Sequence, residues 1–249
     1  MKHIKKILSA ITALALILSM HSGCGMFTNY KAIAEQALED KYGEEFVCHS
    51  TWDEGGITFS AEMSPAYDKN MKFYATISPK YNKAYTDKYP EAVVGNQIAD
   101  IVFEETETIW EECCVKVSIN SQGLDFSSKD DITIESFYQN VNIETPSDPS
   151  IHIAINEDLI NEENYNKEYI LLQNICKRIQ TKNIIIYLYF IDNSAYDEYE
   201  LWFNSTYDIY VGSFKNRDDF EHRIELSVNN LDGEYSMTEV EYKNERKGQ

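Results

Sequence analysis

The chain has 249 residues, of which 43% are hydrophobic and 13% aromatic, and 42 acidic side chains outnumber 22 basic ones for a net charge of −20. That composition supports a packed core and excludes a disordered chain, which would be poor in aromatic residues. A surface so negative repels phosphate backbones, so nucleic acid is not an expected partner.

The first element is an address. Lys2, Lys5 and Lys6 precede the apolar run Ile7 to Met20, which is followed by His21-Ser22-Gly23-Cys24-Gly25. The run falls short of the roughly 20 residues a spanning helix needs and has the form of the apolar centre of an export signal. Ser22, Gly23 and Cys24 resemble the processing site of a bacterial lipoprotein precursor, in which an apolar residue and two small ones precede the cysteine. This chain has His21 where that family usually carries Leu. The resemblance implies a signal peptide over 1–23, a diacylglyceryl thioether on Cys24, and anchorage to the cell membrane on its extracytoplasmic face. Two acyl chains hold a protein far better than one. The alternatives are cleavage after a small residue such as Gly25, giving a secreted protein, and an uncleaved anchor. Residues 1–23 hold three lysines and no acid, so their removal takes the net charge from −20 to −23.

Tyr30, Ile33, Ala34, Ala37 and Leu38 recur at helical spacing, with Thr28 or Asn29 as the cap and Gly43 as the exit. This opening, AEQALEDKYGEEFVC, resembles that of secreted and lipid-anchored proteins of low-GC Gram-positive bacteria. No activity comes with the resemblance. Strands are expected from Phe46 to Trp52 and Ile57 to Met63 around the turn Asp53 to Gly56, and another from Met71 to Ile77. Pro90 suits the start of a helix over about Glu91 to Glu112, with Val94, Ile98, Ile101, Val102 and Ile109 on one face. Val115, Val117 and Ile119 alternate as a strand. Asp131 to Asn140 is ambiguous between helix and strand.

After Pro146 to Pro149, Ile151, Ile153 and Ile155 alternate, and Tyr165, Tyr169, Leu172, Cys176 and Ile179 mark an amphipathic helix of about 18 residues. Ile184 to Ile191 reads as a strand buried on both faces, with Glu198 to Asn204 as its hairpin partner. A last helix is expected around Arg217 to Leu226, and a closing strand over Met237 to Tyr242. The fold class is α+β: antiparallel sheets packed on one face by long amphipathic helices, with two halves of similar rhythm. The halves run 24–145 and 146–249, a single continuous domain being the alternative.

Beyond Cys24 the chain has Cys48, Cys113, Cys114 and Cys176, and the sequence leaves their pairing open. Neighbouring Cys113 and Cys114 point apart and would strain a bond. No CxxC, H-x-x-x-H, calcium-loop, nucleophile-elbow or phosphate-loop spacing occurs, so no catalytic residue, metal or cofactor is expected. Acidic doublets such as Asp53-Glu54 and Glu111-Glu112 read as a solvated surface. The candidate binding residues are Tyr187, Tyr189, Tyr199 and Trp202, whose rings on an open sheet face would stack on sugars or grip a peptide. The competing structural reading is that aromatic residues favour strands and pack on helices. The expected function is a membrane-anchored extracytoplasmic lipoprotein acting as a non-enzymatic interaction or envelope-associated module, with a protein or glycan partner. The alternatives are a hydrolase using paired carboxylates and a substrate-capturing lipoprotein.

Overall fold

Tyr30–Tyr42 winds into helix α1, started by the Asn29 side chain, which accepts from the Ala32 amide at 3.3 Å, and ended by Gly43. Gly43 has φ +75° and donates its amide to the Glu39 carbonyl at 2.8 Å, a left-handed exit that glycine takes without a Cβ penalty. The computed structural model describes residues 29–53, 55–121, 124–140, 149–156, 167–179, 183–191, 193–194, 196–197, 200, 220–229 and 236–243. Residues 1–23, expected to be an export signal, and Cys24 lie outside the described residues.

Four strands follow α1 as an antiparallel meander: β1 (Phe46–Asp53), β2 (Phe59–Pro65), β3 (Phe73–Ser78) and β4 (Lys83–Asp87). The β1–β2 turn is held by Asp53, whose carboxylate accepts from the Gly55 amide at 2.8 Å. The sheet turns Phe59, Ala61 and Met63 inward against Ala34, Ala37 and Leu38 of α1, all buried. β4 is an edge strand of mostly exposed residues.

Helix α2 (Tyr89–Glu107) comes next. It begins where Asp87 Oδ1 accepts from the Tyr89 amide at 3.2 Å and Pro90 removes one donor from the first turn. It stops five residues before the expected Glu112. Three acids, Glu104, Glu105 and Glu107, crowd its negative end without a base in the last turn, and the Thr106 hydroxyl donates back to the Val102 carbonyl at 2.7 Å. The chain then enters β5 (Cys113–Ile119), and the ambiguous 131–140 segment settles as a 3₁₀ turn (Lys129–Asp131) and a short helix α3 (Ile134–Asn140).

β6 (Pro149–Asn156), helix α4 (Lys167–Ile179) and β7 (Asn183–Ile191) form a parallel β–α–β unit. β8 (Phe220–Asn229) and β9 (Ser236–Lys243), described by their backbone ladder, complete a second sheet of order β5-β6-β7-β8-β9. Two expectations are corrected here. The helix expected around Arg217 to Leu226 is replaced, over its described residues, by strand: 220–229 pair antiparallel with β7, and Ile224, Leu226 and Val228 carry the alternation of a strand, while 217–219 lie outside the described residues. β7 also has no edge left for 198–204, because β6 and β8 occupy both of its sides. A strand as apolar as Ile184 to Ile191 sits in the middle of its sheet, with both edges paired.

The result is an α+β fold. The change of sheet comes at α2, since β5 and β6 are hydrogen-bonded neighbours on either side of residue 145. α2 packs on β3 and β5 and against α3 and α4, and one hydrophobic cluster runs from Leu38 and Phe73 through Tyr89 and Ile98 to Ile153 and Leu188. At Gly95 the approach is close enough that a Cβ would stand 3.4 Å from the Val117 carbonyl oxygen of β5. Among the described residues, no helix is long and apolar enough to cross a membrane.

Candidate functional site: a cleft between the sheets

The face of the second sheet opposite the isoleucine run is polar. Lys116, His152 and Tyr187 stand directly opposite one another on β5, β6 and β7, so they share that face. His152 is buried, with its ring nearly parallel to Tyr187 at 4.8 Å, and its Nδ1 lies 2.9 Å from the Tyr189 hydroxyl. The first sheet contributes Tyr74 and Thr76 from β3 and Thr86 from β4, and between the sheets opens a cleft of 890 Å³.

Helix α2 supplies its wall. Asp87, whose side chain is only 1% exposed, accepts from the Tyr42 hydroxyl at 2.7 Å and from Lys41 at 3.0 Å, besides the Tyr89 amide. Glu91 is also buried, and its Oε1 accepts from Lys88 at 2.9 Å and from the Ser121 hydroxyl at 2.6 Å. Lys88 in turn donates to the Ser121 carbonyl. Glu91 Oε2 has no hydrogen-bond partner among the described residues. A second cleft of 880 Å³, flanked by Tyr81 and Tyr85, lies against the same Asp87, Lys88 and Glu91. Together with Thr86, which also lines both, these residues are the partition between the two clefts.

The candidate aromatic face is only partly realised. Tyr187 is half-buried and lines the first cleft, but Tyr189 is fully buried, its hydroxyl spent on His152, so it presents no ring to a partner. Tyr199 and Trp202 lie outside the described residues. Tyr74 was not among the candidates; it is 41% exposed and packs edge-on to Trp52 at 5.6 Å. Its signal was the alternation of β3, which puts it on the face opposite Phe73 and Ala75. Among the described residues, no group of three or more His, Cys, Asp or Glu gathers to hold a metal ion.

Cys48, Cys113, Cys114 and Cys176 are free thiols. Burial pushes Cys48 and Cys176 up to about 11 and Cys113 up to about 12, while at Cys114, also raised by burial, the Tyr196 hydroxyl 3.4 Å away pulls the other way. Because the thiolate is the reactive form, native protein at pH 8 is expected to react with iodoacetamide many times more slowly than urea-unfolded protein at these four positions. Raised thiol values also mean that their contribution to stability is complete below the unfolded value near 9 and is lost as pH rises through the folded ones. Rapid labelling of folded protein, followed by mass spectrometry, would contradict both statements.

No family model matches the chain, and no curated protein matches it. A solved structure, that of a DUF5037 family protein from Ruminococcus gnavus ATCC 29149, is similar in fold: TM-score 0.60, 11% identity, covering 84% of this chain and 94% of that one.

Proposed function

We propose that the chain is an extracytoplasmic lipoprotein, held to the cell membrane by lipid on Cys24, whose cleft between the two sheets binds a polar ligand without transforming it. The make-up of the cleft supports this reading most directly. Hydroxyls, amides and lysines line it, with Tyr74 entering from one sheet and Tyr187 from the other. Ligand sites commonly pair ring surface with a few fixed polar groups in this way.

The hydrolase alternative requires two carboxyl groups free to flank a scissile bond roughly 5–10 Å apart. Asp87 and Glu91 both border the cleft, but Asp87 spends its oxygens on three protein donors and Glu91 Oε1 is held by two. Wild-type protein incubated with soluble glycans and peptides is therefore expected to return them unchanged. Appearance of cleavage products would favour the hydrolase.

For the location, the Cys24→Ala precursor is expected to leave the membrane fraction. The wild-type protein is expected to carry a diacylglyceryl group on Cys24, visible as a mass increment on its first peptide. Unchanged membrane retention, with no lipid on the wild type, would defeat the anchor.

A further inference from the structure

We infer that the cleft between the sheets takes a neutral glycan, an uncharged chain of sugar rings that enters over Trp52 and Tyr74 and reaches Tyr187. The inference rests on the reading of the cleft as a ligand site and adds the chemical class of the ligand.

The charges around the cleft are already spent within the protein. Lys72 meets Glu62 at 3.5 Å, Lys88 meets Glu91 at 2.9 Å, and Asp87 meets Lys41 at 3.0 Å. Lys116 is engaged as well, and His152 is buried with its Nδ1 2.9 Å from the Tyr189 hydroxyl. A charged ligand gains little from a group whose charge is already answered, and an uncharged one loses nothing by it.

What the cleft offers is ring surface and hydroxyls, and the strand register shows how they are laid out. On the first sheet Trp52, Ser60, Thr76 and Thr86 stand directly opposite one another across β1 to β4, on the face away from Phe59, Ala61 and Met63. Thr76 and Thr86 line the cleft, and so does Tyr74, two residues from Thr76 on the same face of β3. Trp52 is 42% exposed and its ring meets that of Tyr74 edge-on at 5.6 Å, so ring surface continues from the cleft onto the open sheet. On the second sheet Ser118 and Ser150 stand opposite each other beside the row of Lys116, His152 and Tyr187. The Tyr187 ring is backed by that of His152, nearly parallel at 4.8 Å. Rings already fixed by neighbours lose little freedom on stacking against the C–H face of a sugar. The hydroxyls, with the side-chain amides of Asn70, Asn96 and Asn120, both donate and accept, as a sugar's hydroxyls require. A peptide is the poorer fit. It draws specificity from pockets for its side chains, and the aliphatic lining is limited to Met71, Ala92, Val117 and Ile119, all half-buried.

The test is calorimetry of the full chain in a sugar-free detergent. The neutral probes are β-linked hexamers of glucose, galactose and N-acetylglucosamine; a galacturonate hexamer and a set of extended peptides are the rivals. At least one neutral hexamer is expected to bind, with an affinity that added salt leaves unchanged. Tyr74→Ala and Tyr187→Ala are each expected to weaken it by about tenfold, the worth of one ring contact. Trp52→Ala is expected to weaken the hexamer and spare the dimer of the same sugar, because Trp52 lies beyond the cleft. Tyr81→Ala, in the neighbouring cleft, is expected to change nothing. Tyr74 is exposed, so its variant keeps the test open should Tyr187→Ala fold poorly. Galacturonate binding more tightly than every neutral hexamer would overturn the neutral class. A peptide that binds where all the neutral hexamers fail would overturn the sugar. Either result leaves the cleft reading standing when Tyr74→Ala and Tyr187→Ala weaken the binding. A glycan lost in Tyr81→Ala and kept in Tyr74→Ala and Tyr187→Ala overturns both readings. Silence of all the neutral hexamers overturns the inference, and if no probe of any class shifts the NMR signals of the cleft residues, the cleft reading falls with it.

Discussion

Replacing Tyr89 with alanine is expected to cost about 3–5 kcal/mol of folding stability, the range for deleting a large ring from a packed core. Tyr89 is fully buried where α2 leaves the first sheet. Its ring lies 4.7 Å from Tyr42, 5.1 Å from Phe46 and 5.2 Å from Phe73, so it joins α1, β1 and β3 at one point. Its hydroxyl donates to Glu44. Tyr89→Phe keeps the ring contacts and loses the hydroxyl, which bonds Glu44 and Tyr67, at about 1–2 kcal/mol. Glu44 keeps a partner in Lys129 at 2.8 Å, which limits the loss. Domains are held by about 5–15 kcal/mol in all, so the alanine variant stands near the edge of folding while the phenylalanine variant remains robust. Urea titration of both variants checks the pair. A loss below about 1 kcal/mol in Tyr89→Ala would mean that this aromatic junction does not hold the helix to the sheet.

The second large effect is expected at Asp87. Asp87→Ala leaves the Tyr42 hydroxyl and the first amide of α2 without their acceptor and takes one of its two carboxylates from Lys41, and removing one member of a buried pair costs about 3–5 kcal/mol. Lys41 keeps Asp125 at 3.2 Å and is itself part-exposed, which places the expected loss near the lower end, about 3 kcal/mol. The effect depends on pH in a definite sense. At Lys41 burial alone disfavours the charge, but the attraction of Asp87, with its hydrogen bond and the contribution of Asp125, outweighs it and raises the value above 10.5. Burial, then the charge of Asp87, also raises the Tyr42 phenol. A group raised in the folded state stabilises fully below its unfolded value and loses that contribution as pH rises through the folded one. The gap between wild type and Asp87→Ala is therefore expected to hold steady from pH 7 to about 9 and to narrow above about 10. A gap that widens in alkali would refute the assignment.

How far the fold was legible follows from where its information lies along the chain. α1 could be bounded from the sequence because Asn29, the spacing of Ala34, Ala37 and Leu38, and Gly43 are all local signals. β6 and β7 were legible because their isoleucines belong to a core that covers them. β4 was not, since an edge strand with most of its side chains in solvent has no apolar alternation to show. Around 217–226 a helical period competes with the alternation of Ile224, Leu226 and Val228, and over 220–229 the strand wins because β7 has a side to fill. Tyr187 was visible as a ring on an alternating strand. Asp87 and Glu91 were not, because in a chain with 42 acids a buried carboxylate looks like any solvated one until Tyr42, from a helix 45 residues earlier, is found donating to Asp87. The cleft itself arises from β3 and β4 facing β5, β6 and β7, a juxtaposition that no window along the chain contains.

Helix α2 belongs to both sheets at once, its first turn in the partition beside the cleft and Ile98 and Val102 sealed in the core beyond. Cleft lining and inter-sheet packing are thus carried by successive turns of one helix. If the cleft holds a ligand as proposed, a core substitution that shifts this helix would be felt at the cleft wall as well as in the interior.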